Sequence, residues 1–265
     1  MRALKAQRVP RMLFATVLAL LAGCAHHPDV DAQAVGWSQS RQLVVVTIAD
    51  WNSDHGTMRT FSRNEDGAWH DAGVAQPVAI GRNGAAWGIG LHDVPTAGPV
   101  KREGDGRSPA GIFAIGSAFG YAAQTDTALP YTAMRASHYC IDVNGSPLYN
   151  RIVDADVAGA DAVAGSTEPM RLDLHANGDQ RYRLGFVIGH NPRGVAGAGS
   201  CIFAHLWKTP ESTTAGCTAM ADSAMDTLLS WLDAKQQPIF VLLPQSEYAH
   251  LRGAWTLPDL QEPQP

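Results

Sequence analysis

The feature that most narrows the fold is the spacing of apolar runs in the first half of the chain. Leu43-Val44-Val45-Val46-Thr47-Ile48 leads to a turn at Asp54-His55-Gly56, then to Met58-Arg59-Thr60-Phe61-Ser62-Arg63 and a second turn near Asp66-Gly67. Two more short runs, residues 74–80 and 86–91, lie beside glycines. Short strands this closely spaced predict a β-sandwich or barrel rather than βαβ units. Alternation over residues 58–63 predicts one buried and one wet face. Further strands are expected at residues 112–115, 182–190, 200–207 and 238–244. One helix is well marked. It starts near Asp222 or Ser223, where Ser223 and Asp226 stand in capping-box spacing, and Met225, Leu228, Leu229 and Leu232 follow at helical intervals. The expectation is a mainly β domain with one or two helices over residues 41–245, and a loose tail over 246–265.

The chain begins with Arg2, Lys5, Arg8 and Arg11, followed by the apolar run Met12 to Leu21, which only Thr16 interrupts. That run is too short for a stable membrane span but suits a secretory signal over residues 1–23. It ends Leu21-Ala22-Gly23-Cys24, which resembles a bacterial lipoprotein cleavage box. The resemblance implies cleavage before Cys24, acylation of its thiol, and a lipid anchor; the alternative is an ordinary signal peptide with a chance cysteine. In a Gram-negative host, Ala25 in place of Asp resembles an outer-membrane rather than an inner-membrane signal, which implies an anchor facing the periplasm. Residues 24–40 read as a polar tether. Export would leave 16 Lys and Arg against 25 Asp and Glu, a formal charge of −9. An acidic chain without a basic run argues against a nucleic-acid partner.

Once Cys24 is set aside, Cys140, Cys201 and Cys217 remain. In an oxidising compartment an odd set suggests one disulfide and one working thiol. Cys140 and Cys201 lie in apolar, strand-like stretches and form the expected pair. Cys217, on a polar Gly turn, is the expected free thiol. The competing reading keeps all three reduced, as small core residues.

The chemistry is expected between Gly199 and Met220, GSCIFAHLWKTPESTTAGCTAM. A thiol on a Gly turn in front of a helix can stay partly exposed, and nearby N–H groups favour its negative charge. His205, on the preceding apolar strand, is the candidate base, with His190 as the fallback. The Gly216-Cys217 backbone could supply donors to an oxyanion. Two other readings compete: His205 as a satisfied core histidine, and a metal site from His190, Cys201, His205 and Cys217. The spacings of those four match no compact zinc knuckle, and no metal or organic cofactor is expected.

Three stretches in order carry a resemblance. SPAGIFAI at 108–115, CIFAHLW at 201–207 and STTAGCTAM at 212–220 resemble the Ser/Thr-Pro-x-Gly-x-Phe segment, the base-histidine strand and the nucleophile turn of the L,D-transpeptidase (YkuD-type) peptidoglycan enzymes. The resemblance implies a catalytic domain of that β type, with Cys217 as nucleophile, His205 as general base and Gly216 in the oxyanion turn. It also implies peptidoglycan stem peptides as partners. The acyl group of a stem tetrapeptide would pass through a thioester to a second amine or to water.

The chain departs from the family pattern as a divergent branch would. Ala215 replaces the usual His before Gly-Cys, the usual following Arg is absent from Thr218-Ala219-Met220, and the His205-to-Cys217 interval is short. Transpeptidase, carboxypeptidase and hydrolase of protein–peptidoglycan links therefore stay open. The alternative function is a catalytically weak or inactive wall-binding lipoprotein of the same fold. A redox or metal-binding role ranks last, because no Cys-x-x-Cys is present.

Overall fold

The structure is a computed structural model that describes residues 36–65, 67–93, 95 and 97–260. The expected signal segment, the tether up to residue 35 and the acylation site at Cys24 lie outside the described residues.

The strands are β1 (Gln42–Ile48), β2 (His55–Arg63), β3 (Trp69–Asp71), β4 (Gln76–Ala79), β5 (Ala85–Trp87), β6 (Ser108–Gly120) and β7 (Tyr131–Ala133). They continue with β8 (His138–Cys140), β9 (Ile152–Asp154), β10 (Glu168–Pro169), β11 (Leu184–Ile188), β12 (Phe203–Leu206), β13 (Thr218–Met220) and β14 (Ile239–Pro244). Eight of them close on themselves in the order β1-β14-β6-β11-β12-β13-β4-β2, with β2 pairing back to β1. The result is a barrel rather than an open sandwich, and closure removes the exposed edges that a flat sheet would leave. β1 runs parallel to β14 from Leu43↔Ile239 to Ile48↔Pro244 and antiparallel to β2. Every residue of β1 and β14 is buried, which explains their unbroken apolar runs.

Four short helices accompany the barrel, not one or two: α1 (Ala155–Ala158), α2 (Leu172–His175), α3 (Asp222–Trp231) and α4 (Gln245–Leu251). The first two are single turns, one directly after β9 and one after β10, which leave almost no periodicity to read. α3 buries Ala224, Met225, Leu228 and Leu229, as the pattern predicts, but its N-cap is Ala221 with no side-chain cap bond. The expected Ser223/Asp226 capping box does not form.

Both ends of the domain are firmer than expected. Trp37 donates its indole N–H to the Trp255 carbonyl, and Ser40 is buried, so the expected tether is already part of the domain from residue 37. The tail packs as well: Tyr248 is buried and donates to the Pro258 carbonyl at 2.8 Å, Leu257 is buried, and Arg252 pairs with Asp259. The aromatic ring of Trp255 explains this order, since it contacts Trp37, Trp87 and His92 at once. Apolar side chains outside a strand pattern still bury area when they cap a barrel end.

A second sheet, β10-β8-β9, is small but decisive for the site. Its register sets Cys140 opposite Glu168 on one side and Ile152 on the other. A disulfide joins Cys140 to Cys201 just before β12, with Cα atoms 5.9 Å apart.

Candidate active site

β12 and β13 lie side by side in parallel, with Ala204↔Thr218, His205↔Ala219 and Leu206↔Met220. Cys217 directly precedes β13 and so falls beside Phe203, whose N–H donates to Sγ at 3.3 Å. The thiol in turn donates to the Cys201 carbonyl at 3.5 Å. Cys217 and His205 line one cleft of about 490 Å³, together with Glu168, Arg181, Tyr182 and the Thr214-Ala215-Gly216 turn. No direct hydrogen bond joins thiol and imidazole. An apolar groove of about 450 Å³ between β2 and α3, lined by Met58, Val74, Leu228 and Trp231, holds no ionisable group and offers no comparable chemistry.

The surroundings of Cys217 differ from the expected exposed turn in two ways. β13 separates the cysteine from α3 along the chain, so Cys217 is not the residue that opens the helix. The thiol is also buried, at 8% exposure, within a cluster that includes Phe119, Tyr182, Phe203 and the disulfide. Burial first, and then the charge of Glu168, pushes its pKa up to about 12. Cys217 is the free cysteine among the described residues, but it is a neutral thiol at rest, not a standing thiolate.

His205 is equally buried. Its Nδ1 lies 2.8 Å from the Leu206 carbonyl, which can only accept, so Nδ1 carries the proton and Nε2 keeps its lone pair. Tyr182 packs edge-on against the ring at 5.1 Å between centroids. Burial pulls the imidazole down to about 4, with the Arg181 charge acting the same way and the Leu206 carbonyl opposing it. The pair therefore rests as a thiol and a neutral base.

The turn from Thr214 to Cys217 is clamped rather than loose. Ser108 Oγ donates to the Gly216 carbonyl at 2.8 Å and reaches the Cys217 carbonyl at 3.1 Å, while Thr214 Oγ1 donates to the Cys217 carbonyl at 2.6 Å. Ser108, the first residue of β6, thus holds the cysteine in place from a distant part of the chain. A Cβ at Gly216 would stand 3.0 Å from the Arg107 carbonyl, which explains glycine there. The Gly216 N–H is engaged by Thr214 Oγ1 at 3.1 Å, so it is not a free donor for an oxyanion as expected.

His190 is not brought to the site. Its Nδ1 accepts from the Ile89 N–H at 3.2 Å, its Nε2 faces the Ala198 carbonyl at 2.9 Å, and Phe113 packs on its ring. Both nitrogens are engaged, and the fallback base is a satisfied core histidine. The four soft side chains considered for a metal do not gather either; no group of three or more His, Cys, Asp or Glu with metal-holding geometry occurs among the described residues.

Sequence reasoning missed Tyr182 and Glu168. Tyr182 Oη donates to Glu168 Oε1 at 2.6 Å and lies close enough to act on the Cys217 thiol. Tyr182 stands at the start of a recognised strand and was legible as a core residue only. Glu168 sits in a stretch that reads as a surface loop, and only the two-residue pairing of β10 with β8 turns it inward. Comparison with known proteins adds no further guide: no family model, curated protein or solved structure matches the chain.

Proposed function

We propose that this protein is a cysteine acyltransferase of the L,D-transpeptidase type, exported and lipid-anchored at Cys24, acting on peptidoglycan stem peptides in the cell wall. One observation carries the reading: His205 on β12 and Cys217, immediately before the neighbouring parallel β13, line one cleft and leave Nε2 as an uncommitted lone pair. The thiol attacks the carbonyl of an L,D-amide, and its proton passes to Nε2 as the S–C bond forms. The imidazolium then protonates the departing D-residue amine when the C–N bond breaks. The thioester passes its acyl group to a second amine, giving a cross-link, or to water, giving simple trimming. The general-base form of the mechanism follows from the neutral resting pair, since no stored thiolate is available.

A second reading has its own support. The thiol's hydrogen bond goes to the Cys201 carbonyl and not to the imidazole, which suits a wall-binding protein of the same fold with little catalysis. Incubation with purified stem tetrapeptides, followed by mass spectrometry, separates the two. New 3–3 cross-links or loss of the terminal D-residue support the enzyme. Retention of the peptide without any change in mass supports the binder.

A further inference from the structure

Glu168 is the group of the cleft that the thiol–imidazole pair leaves unused. Its carboxylate is half-buried beside β10, and burial pushes its pKa up, with Asp142 and Glu103 adding to that shift and Tyr182 and Arg181 opposing it. Three carboxylates face this cleft, and two are occupied. Glu103 accepts from Tyr149, Ser200 and the Gly104 N–H. Asp142 accepts from the N–H and hydroxyl of Thr167. Glu168 accepts from Tyr182 through Oε1 alone, and Oε2 accepts no hydrogen bond. No lysine, arginine or histidine among the described residues forms an ion pair with it. Arg181, on the same cleft, is held by Asp179 at 2.9 Å, and Lys101 by Asp105 at 2.6 Å. A half-buried carboxylate that forms no ion pair of its own and keeps Oε2 free would gain a partner in a ligand cation.

We propose that Glu168 receives the ammonium of the attacking substrate and takes its proton, which makes Glu168 the residue that selects an amine over water as acceptor. This rests on the reading of Cys217 as nucleophile. A primary ammonium bound at Oε2 gives one proton to the carboxylate and gains a free lone pair. The nitrogen then attacks the thioester carbonyl, forming the C–N bond. As the C–S bond breaks, the second N–H proton moves through His205 to the departing sulfur. The products are an amide, the Cys217 thiol and a protonated Glu168, which later loses its proton to water. Tyr182 holds the carboxylate through Oε1 and leaves Oε2 turned to the cleft.

The substitution Glu168→Gln keeps an acceptor for Tyr182 and removes the charge. Two readouts test the proposal. The first is calorimetry on Cys217→Ala protein with a stem tripeptide bearing one free side-chain amine, with and without Glu168→Gln. Binding should weaken by at least about ten-fold on loss of the carboxylate, and an amine-acetylated tripeptide should bind both proteins equally weakly. The second is product partition with the intact cysteine. Glu168→Gln should still form the acyl-enzyme on a stem tetrapeptide, while amide product falls relative to hydrolysis by on the order of 10²-fold. Equal binding of the free-amine peptide to both proteins overturns the proposal, as does an unchanged ratio of transfer to hydrolysis. If wild-type protein forms no acyl-enzyme, the acyltransferase reading fails, and the calorimetry still decides whether Glu168 is a cation site.

Discussion

The barrel interior and the small cluster around Cys217 use burial to opposite ends. On the two faces of the barrel wall, Val44, Ile112, Phe113, Phe240 and Val241 are wholly enclosed by apolar neighbours. Burial there only stabilises. In the second cluster the neighbours of Phe119 and Phe203 are the disulfide, Tyr182 and Cys217, with His205 and Glu168 at its border. Burial there also moves protons: it raises the thiol, lowers the imidazole and raises the carboxylate. The barrel supplies the register that sets β12 against β13, and the side cluster supplies the dielectric that tunes what the register brings together. Substitutions in the first region should therefore change stability, and those in the second should change chemistry.

The sharpest break of that comparison is at Cys217, the proposed nucleophile. Cys217→Ala should reduce acyl transfer to background while the protein still unfolds cooperatively, as read by product formation and circular dichroism on the same sample. His205→Ala should follow, with a loss of about 10²–10⁴-fold in rate. Phe113→Ala reverses the pattern. It should cost about 3–5 kcal/mol of stability in urea melts, with the rate per folded molecule retained. The disulfide spans both regions, since it ties the small sheet to β12 across 61 residues. Replacing Cys140 and Cys201 together by Ala should cost about 4 kcal/mol in chain-entropy terms and should also disturb the cleft that Glu168 faces. His190→Gln should cost about 1–3 kcal/mol through the unsatisfied Ile89 N–H or Ala198 carbonyl, and should leave the rate near that of the parent.

The pH dependence of stability tests the protonation states themselves. His190 and His205 are both lowered from 6.5 to about 4, so the unfolded chain binds more protons than the folded one between those values. Their contribution is complete above pH 6.5 and is lost as pH falls toward 4. Cys217 is raised from 9.0 to about 12, so its contribution is complete below pH 9 and is lost as pH rises toward 12. Urea midpoints from pH 4 to 11 should fall at both ends. His190→Gln should flatten the acid side alone, and Cys217→Ala the alkaline side alone.

Much of the barrel was legible because its strands are buried on whole runs, and LVVVTI or IFVLLP leaves little choice. The ends were not legible. Residues 246–260 show no strong period, yet Tyr248, Trp255 and Leu257 each find a place on the barrel end that only the closed topology creates. The histidine and cysteine of the site could be named from their local strings, and the Cys140–Cys201 bridge is present. Their protonation could not be read, because the string around Cys217 looks like an open Gly turn. The partners that bury it, Phe203 on β12 and Tyr182 in the turn before β11, come from other parts of the chain. Glu168 had no local mark at all. Its role depends on a two-residue pairing that brings residue 168 against residue 140.

The most direct test of the central claim is intact-protein mass spectrometry after rapid mixing with a stem tetrapeptide and acid quench. The account predicts an adduct with the mass of the donor less its terminal D-residue, located on Cys217 by peptide mapping, absent from Cys217→Ala and slowed in His205→Ala. An unmodified Cys217 under conditions in which the peptide is bound or converted would contradict it.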